Sequence, residues 1–422
     1  MRSPFIVVSM RLVLSTIDGS LLSDIRLPSE ATLAHLFRAV RQTSSHASRN
    51  FSLLWGVTVL RQSADVVCSS VGLTCGSVIT LVEHEAFKLI TCSMDKIARI
   101  WDTATGELVN VLHYHGAGVK MAAVSPDETS ILTVDAAGSF KIWDSTTCEC
   151  KLTVTAHTGV IGHAMFSADG LSILTSSHDY TAKIWDSASG ACKQTMSGHE
   201  FFVNHACFSA DESLVLTASS DNSAKIWDSA TGICIETLRG HRRAVKTARF
   251  SNDDCLIATA SADCTAKIWH TVSFQCKLTL RHSNEVYSAV FAANGSRVLT
   301  ITEHDARIWD SFTGQLKRVM PVAEPIETTN YISPLTAVFS TDETLVLTKN
   351  DDAARIWNGE TGECLHVLTG RSDCLFAAFS SNGALVVTSY LDKTFKIWDS
   401  ATGECIHTLT GHVNPVESAI FF

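Results

Sequence analysis

The sequence Ala224-Lys225-Ile226-Trp227-Asp228 is one of eight copies of a short motif that dominates the chain. In every copy Ile precedes the Trp, and Lys or Arg stands two residues before it. The tryptophans of the eight copies are Trp101, Trp143, Trp185, Trp227, Trp269, Trp309, Trp357 and Trp398. They follow one another at steps of 40 to 48 residues, and a period of this length is typical of a repeat architecture.

The repeat that contains Trp227 predicts four short strands separated by polar turns. They cover residues 203–209, 214–218, 224–228 and 234–238. A sheet of four short strands cannot bury both of its faces alone. The repeats are therefore expected to pack around an axis as the blades of a ring.

The two ends of the repeat region predict that the ring is closed. The first unit begins at its second strand, residues 87–93, and residues 416–422 form a first strand left over at the other end. Pairing these two segments completes a single ring of eight blades and removes exposed sheet edges.

These units resemble the WD-repeat β-propeller family over residues 85–422. The motifs that carry the resemblance are the Trp-Asp pairs and the Gly-His pairs, namely Gly198-His199, Gly240-His241 and Gly411-His412. The resemblance implies a mainly β fold, with an eight-bladed WD-repeat propeller closed by the C-terminal strand over residues 84–422.

A set of His, Ser, Asp and Trp recurs at one register in the units. A single set resembles a hydrolase triad, but an enzyme needs one activated nucleophile in one pocket. In the resembled family these side chains form a structural hydrogen-bonded network, which satisfies buried polar groups. The sets are His157, Ser177, Asp179 and Trp185; His199, Ser219, Asp221 and Trp227; His241, Ser261, Asp263 and Trp269; and His412, Ser93, Asp95 and Trp101. The second unit has Ala137 in place of Asp, and the eighth has Arg371 in place of His.

Residues 1–83 lack the repeat and predict a small α+β domain. Leu33, Leu36, Phe37 and Val40 form one apolar face of a predicted helix. The predicted strands are residues 11–17 and 21–27, joined by a turn at Asp18-Gly19, followed by residues 51–56 and 78–82.

This order of elements resembles the ubiquitin-like (β-grasp) fold, on residues 27–32 at the helix entry, 53–56 and 78–82. Leu81-Val82-Glu83-His84 continues into the repeats with no Gly-Gly terminus, so conjugation to a target is not expected. The resemblance implies a fused docking domain.

Composition narrows the class of partner. The net charge of −10 argues against sequence-independent nucleic-acid binding, and no apolar run reaches the length of a membrane span.

Six of the 14 cysteines stand seven residues after a repeat Trp, at one repeated position, which favours reduced thiols over disulfides or metal sites. We expect no metal, no cofactor and a cytoplasmic protein, with the nucleus as a second location.

The WD-repeat resemblance implies a non-catalytic scaffold that binds protein partners, with an N-terminal docking domain. An adaptor or substrate receptor in the ubiquitin system is an alternative, and a propeller enzyme is a less favoured one. In the long step between Trp309 and Trp357, residues 320–334 are interpreted as an extended surface loop.

Partner binding is expected on one face of the ring. In the resembled family, the side chains three and five residues beyond the His of each Gly-His pair point to this face, as does the residue before the turn Asp. Here these positions differ between repeats, as a recognition surface requires. They are Lys120, His178, Phe202, Asn204, Lys246, Glu285, Tyr287 and Phe376.

Overall fold

The structure is a computed structural model that describes residues 87–113, 115–322 and 336–422, together with the backbone of five strands nearer the N-terminus. The chain divides into two compact units, Met1–Phe87 and Lys88–Phe422. The predicted helix around Leu33, the turn at Asp18-Gly19 and residues 323–334 of the predicted loop lie outside the described residues.

The strands of the first unit form one mixed sheet. They are β1 (Ser9–Ser15), β2 (Leu21–Pro28), β3 (Asn50–Trp55), β4 (Thr58–Leu60) and β5 (Val78–His84). Their order in the sheet is β2-β1-β5-β3-β4. The pair β1/β2 is antiparallel, the central pair β1/β5 is parallel, and β3 is antiparallel to β5. The sequence predicted four of these strands and missed β4.

The second unit consists of eight antiparallel sheets of four strands each. The strands are β6 (Lys88–Ser93), β7 (Ile97–Asp102), β8 (Leu108–Leu112), β9 (Val119–Val124), β10 (Ser130–Asp135), β11 (Ser139–Asp144), β12 (Cys150–Thr155), β13 (Ile161–Phe166), β14 (Ser172–Ser177), β15 (Thr181–Asp186), β16 (Cys192–Ser197), β17 (Val203–Phe208), β18 (Leu214–Ser219), β19 (Ser223–Asp228), β20 (Cys234–Arg239), β21 (Val245–Phe250), β22 (Leu256–Ser261), β23 (Thr265–His270), β24 (Cys276–Arg281), β25 (Ser288–Phe291), β26 (Arg297–Ile301), β27 (Asp305–Asp310), β28 (Leu316–Pro321), β29 (Thr336–Phe339), β30 (Leu345–Lys349), β31 (Ala354–Asn358), β32 (Cys364–Leu368), β33 (Cys374–Phe379), β34 (Leu385–Tyr390), β35 (Phe395–Asp399), β36 (Cys405–Leu409) and β37 (Val416–Phe421).

The eight sheets form a closed ring. Blade 1 consists of β37, β6, β7 and β8, and blades 2 to 8 take the following strands four at a time from β9 to β36. The first strand of every blade lies against the first strand of the next blade, including β33 against β37 and β37 against β9. The first strands therefore surround the axis, and the predicted eight-bladed propeller is confirmed.

The predicted closure between the two ends of the repeat region is also confirmed. Strand β37 pairs with β6 in antiparallel register, with Val416 opposite Ser93 and Phe421 opposite Leu89. The amide of Lys88 donates to the carbonyl of Phe422 at 2.7 Å, and the amide of Phe422 donates to the carbonyl of Lys88 at 2.9 Å. Blade 1 is thus built from both ends of the repeat region.

The repeated tryptophans fill the spaces between neighbouring blades. All eight are between 1% and 7% exposed. Trp269 of blade 5, for example, packs with Leu216 and Ile226 of blade 4. Since each blade covers the apolar face of its neighbour, the hydrophobic core is a series of inter-blade layers rather than one central cluster.

The Asp that follows most of these tryptophans shapes the next turn. Oδ1 of Asp228 accepts hydrogen bonds from the amide and the hydroxyl of Thr231, at 2.8 and 2.7 Å. Gly232 follows with φ +70°, a left-handed conformation that glycine adopts at low cost. The Asn358 that replaces this Asp in blade 7 accepts equivalent amide bonds, so the turn is conserved although the Trp-Asp pair is not.

The predicted loop at residues 320–334 begins too early. Met320 and Pro321 belong to β28, and Met320 is fully buried. The interpretation as a loop was wrong for these two residues because Met320 occupies the repeated apolar position of a fourth strand, where Leu238 and Leu280 stand in other blades.

A buried charge in the closing strand should open the ring. Ala419 of β37 is 4% exposed, so Ala419→Asp is expected to lower the free energy of unfolding by about 3–5 kcal/mol. Val272 is 91% exposed, and Val272→Asp should change it by less than about 0.5 kcal/mol. Denaturant unfolding of both variants measures the difference, and equal tolerance of the two substitutions would contradict the closure.

Candidate functional site

A buried hydrogen-bonded chain links a loop, two strands and the repeated Trp within a blade. In blade 4, Nδ1 of His199 lies 2.7 Å from Oδ2 of Asp221, and its Nε2 lies 2.7 Å from Oγ1 of Thr217. The indole Nε1–H of Trp227 donates to the same Thr217 hydroxyl at 2.8 Å. The same chain, with distances of 2.7–3.0 Å, occurs in blades 1, 3 and 5 around Thr91, Thr175 and Thr259.

The threonine was missing from the sequence-based set, although the sequence contains a signal for it. A Thr stands ten residues before the Trp in six repeats and nine residues before it in the repeats of Trp309 and Trp357. In all eight blades its hydroxyl accepts the indole N–H. It is therefore the most regular polar contact of the described blades.

The serine of the predicted set bonds to the backbone and not to the His. The hydroxyl of Ser219 donates to the carbonyl of Phe201 at 3.2 Å and accepts from the amide of Asp221 at 3.0 Å. The Ser219 hydroxyl therefore connects the turn that contains Asp221 with the loop that contains Phe201. A nucleophilic Ser requires a direct hydrogen bond to its base, but Ser219 and His199 bond to different partners.

Burial and hydrogen bonding set the charges of the Asp and the His in this chain, as the pair Asp263 and His241 shows. Burial raises the pKa of Asp263, but hydrogen bonds from Thr265, the Arg242 amide and His241 outweigh it and lower the pKa to about 2. Burial lowers the pKa of His241 below its usual 6.5, and Asp263 offsets only part of that effect. At neutral pH the pair therefore consists of a carboxylate and a neutral imidazole.

In blade 2 the chain is shorter. Ala137 stands where other blades have Asp, and Nδ1 of His115 has no partner among the described residues. Burial lowers the pKa of His115 to about 4. Its Nε2 still lies 3.0 Å from the hydroxyl of Thr133, which also accepts the indole of Trp143.

Blade 8 replaces the missing His with a Tyr. The strand register places Gly370, not Arg371, at the His position, because the loop from Leu368 to Cys374 is one residue shorter than the loop from Leu238 to Val245 that enters blade 5. The Tyr390 ring occupies the space beside Gly370, where an added Cβ would lie 2.3 Å from it. The Tyr390 hydroxyl accepts from Thr388 at 3.0 Å, so the space and the hydrogen bond of the absent His are both filled.

Two of the predicted partner-binding residues meet in an aromatic cluster on one face of the ring. His178 precedes the turn Asp of blade 3, and Phe202 lies in the loop that enters blade 4; their rings stack at 4.4 Å. Tyr180 and Phe201 extend the cluster, with centroids 5.7 Å apart, and Phe201 lies 4.5 Å from Phe202. We call these four residues the aromatic surface.

Three other predicted residues meet between blades 5 and 6. Nζ of Lys246 lies 5.9 Å from the ring centre of Tyr287. Glu285 forms an ion pair of 3.6 Å with the exposed Arg243.

Lys120, another predicted residue, belongs to blade 2. It is close enough to His178 to lower the pKa of that His, although burial has the larger effect.

Two predicted residues differ from the expectation. Asn204 is committed to the framework, because its amide nitrogen donates to Ser220 Oγ at 3.0 Å and to the Val245 carbonyl of blade 5 at 2.8 Å. Phe376 is the third residue of β33, in register with His205 of β17, so it belongs to the innermost strands rather than to the loop face. Counting from Arg371 misplaced it by one residue, for the reason given above.

Sequence reasoning missed Tyr180 and Phe201, the most exposed members of the aromatic surface. Positions carried over from the family include only the residue before the turn Asp and fixed steps after the His. The available signal was local: aromatic residues stand within three residues of both His178 and His199, and no other repeat has this combination at those turns.

No group of three or more His, Cys, Asp or Glu side chains within the described ranges is arranged to hold a metal ion. The described part of the chain contains no helix long and apolar enough to span a membrane. A surface cavity of about 330 Å³ between blades 3 and 4 is lined by residues such as Lys193, Gln194 and Glu212, and contains none of the predicted partner-binding residues.

Comparison with known proteins agrees with this architecture. Residues 106–144, 148–186, 190–228, 232–270 and 362–399 match the WD40 family, described as WD domain, G-beta repeat. Five of the eight repeats thus match WD40 repeats, and the eight blades form a β-propeller.

Solved structures contain similar rings. The crystal structure of the computationally designed Ika8 protein, crystal packing No. 1 in P63, matches with a TM-score of 0.62 and 24% sequence identity. The match covers 72% of this chain and 90% of that one, and at this identity it shows the fold alone. A search of curated proteins found no match.

Removal of the Thr hydroxyl tests the buried chain. Thr217→Val keeps the shape of the side chain but leaves the Trp227 indole and His199 Nε2 without a partner. The free energy of unfolding is expected to fall by about 1–3 kcal/mol. Thr158→Val is the control, because Thr158 is exposed and its hydroxyl makes no hydrogen bond to another described residue. An equal effect of both substitutions on denaturant unfolding would show that the chain does not stabilise the blade.

Stability should fall when the pH drops below about 6.5. Burial lowers the pKa of His282 to about 4, and both of its ring nitrogens lack partners among the described residues. Since the unfolded chain binds more protons between these values, acid shifts the equilibrium toward unfolding. His282→Phe removes this group and should reduce the slope of the unfolding free energy by up to about 1.4 kcal/mol per pH unit. Identical slopes for the variant and the wild type between pH 6.5 and 4 would contradict this assignment.

Proposed function

We propose that the chain is a non-catalytic interaction scaffold whose propeller binds a protein partner through the aromatic surface. The observation that carries the proposal is the exposure of large rings on a loop face. Tyr180 is 41% exposed and Phe201 is 45% exposed, while the equivalent loops of other blades carry mostly polar residues. Aromatic side chains of this kind dominate the binding energy of interfaces.

The aromatic surface is ordered before any partner binds. Each ring contacts a neighbour: Phe202 stacks on His178, Phe201 stacks on Tyr180, and Phe201 and Phe202 contact each other at a tilt of 44°. The backbone beneath them is held by the Ser219 hydroxyl, which donates to the Phe201 carbonyl. Because little side-chain freedom is left to lose, binding on this surface costs less entropy than binding to separate rings.

Charges beside the aromatic surface indicate the chemistry of the partner. Lys120 lies on the blade 2 side, close to His178. Arg242 and Arg243 are exposed on the blade 5 side, and one guanidinium, that of Arg243, is paired with Glu285 at 3.6 Å. An apolar segment flanked by acidic residues complements this arrangement of rings and cations. The proposed partner is therefore a protein segment of that composition.

The N-terminal unit supports a second candidate, an adaptor or substrate receptor in the ubiquitin system. Its sheet order, β2-β1-β5-β3-β4 with a parallel β1/β5 pair in the centre, supports the proposal that this unit has a ubiquitin-like fold. A parallel pair also needs a crossover connection, for which the predicted helix is suited. Binding of ubiquitin receptors by the full chain, and its loss when residues 1–86 are removed, distinguishes this role from that of a general scaffold.

The proposal places the scaffold inside the cell, in the cytoplasm or the nucleus. Twelve cysteines of the described residues are free thiols, which fits a reducing compartment. The net charge of −10 supports a protein partner rather than a nucleic acid.

Truncation of the exposed rings tests the proposed surface. Partners recovered with the wild-type chain by affinity purification and identified by mass spectrometry are titrated against Tyr180→Ala/Phe201→Ala. Loss of two anchor rings is expected to weaken binding by about 2–4 kcal/mol, or roughly 30- to 1000-fold.

Phe312→Ala is the matched control, because Phe312 is an exposed ring in a turn between third and fourth strands, on the opposite face. This variant should bind as the wild type does. Full retention of binding by the folded Tyr180/Phe201 variant would move the site away from the aromatic surface.

A further inference from the structure

Three innermost strands of neighbouring blades bring basic and polar side chains together at the axis of the ring. His163 is the third residue of β13, His205 the third of β17, and Arg249 the fifth of β21. These strands lie side by side around the axis. We call His163, His205 and Arg249 the inner basic cluster; it shares no residue with the aromatic surface.

The side chains of the inner basic cluster have hydrogen-bonding atoms without partners. His205 is 5% exposed, and neither Nδ1 nor Nε2 of its ring makes a hydrogen bond of normal geometry within the described part of the chain, although the Ala248 backbone is near enough to raise the pKa of the ring. Among the described residues, Nδ1 of His163 and Nε of Arg249 likewise make no such hydrogen bond. Buried polar atoms are almost always satisfied by protein, water or ligand, so a concentration of four such atoms at one place calls for an occupant.

The geometry of the two histidines excludes one kind of occupant. Their ring centres lie 4.3 Å apart, and the ring planes are tilted by 31° relative to each other. The lone pairs of two rings that lie nearly face to face do not converge on a single point, as the ligands of a metal ion must. The Arg249 guanidinium beside them further disfavours a cation.

The charge of Arg249 points to the opposite kind of occupant. Among the described residues no carboxylate lies within ion-pair distance of Arg249, whereas the half-buried Arg297 pairs with both Glu343 and Glu360 at 2.9 Å. Arg249 is half-buried too, and a cation removed from water is stabilised by a counter-charge. A bound anion would supply that charge and accept the unpartnered N–H groups at the same time.

We propose that the inner basic cluster binds a phosphate group, held by the Arg249 guanidinium and the N–H groups of His163 and His205. A phosphate presents several acceptor oxygens around one centre, which suits donors that approach from three neighbouring strands. Access is from the axis of the ring, where His163 and Arg249 are half-buried rather than closed off.

The charge state of the histidines agrees with a donor role. Burial lowers the pKa of His163 to about 4, with a smaller effect of Arg249. The pKa of His205 is lowered by burial and then by His163 and Arg249. Without the anion, each ring is therefore neutral at pH 7 and offers one N–H donor, and an anion bound beside the rings favours uptake of a proton.

Calorimetric titration of the full chain tests the site, with inorganic phosphate as the probe and sodium chloride of equal ionic strength as the reference. Arg249→Met and His205→Phe should each weaken phosphate binding by about tenfold or more, because each removes a donor to a charged acceptor. Arg243→Met is the matched control, since it removes an exposed cation on the loop face, and it should leave the affinity unchanged.

The outcomes separate clearly. Phosphate binding that is lost in Arg249→Met and His205→Phe but kept in Arg243→Met supports the site. Parallel titration with methyl phosphate identifies the source: binding of both probes indicates a phosphomonoester, and binding of inorganic phosphate alone indicates the free anion.

No binding of either probe at millimolar concentration, an equal response to chloride, or undiminished binding by both cluster variants with native thermal unfolding would overturn the proposal. None of these measurements uses a protein partner, so the result is independent of the proposed scaffold function.

Discussion

The hydrogen bond from an indole N–H to a threonine hydroxyl is the contact on which the ring depends. A Trp is the side chain large enough to fill the space between two blades, but its N–H must find an acceptor in a region without water. The Thr of the neighbouring strand supplies it in all eight blades. The His that bonds to this Thr, and the Asp that bonds to the His, are not present in every blade. Blade 8 uses Tyr390 instead of His, and blade 2 lacks the Asp, yet both keep the Thr–Trp bond.

The sequence was sufficient to predict the ring, because periodic tryptophans, turns and an unmatched strand at each end leave one closed solution. It was less informative about side chains whose position depends on loop length. Phe376 shows the limit: a loop one residue shorter moved it from the loop face to the inner strands. Thr217 shows another, since a repeated Thr in a strand resembles ordinary β-propensity until the structure places its hydroxyl beside Trp227. Tyr180 and Phe201 were missed because stacking between blades is not encoded at any fixed spacing.

The blades with a complete hydrogen-bonded chain also carry the two surface features that are not repeated around the ring. Blades 3, 4 and 5, like blade 1, contain the complete His–Asp–Thr–Trp chain. Blades 3 and 4 present the aromatic surface, and all three contribute to the inner basic cluster. A rigid framework suits both features, because exposed rings and unpaired basic groups are costly to hold in a fixed arrangement unless the strands beneath them are firmly fixed.

Strand β37 is synthesised last, so blade 1 can be completed only after the other blades have been made. Its partner β6 is synthesised more than 300 residues earlier, since Ser93 pairs with Val416. At translation rates of ~5–20 residues per second, β6 waits for its neighbour for roughly 15 to 60 s. During this interval the nascent blade 1 exposes an unpaired edge and the apolar residues that β37 later covers. Until β37 pairs with it, this edge can pair with other chains, so the newly synthesised chain is most prone to aggregation before residue 421 has been added.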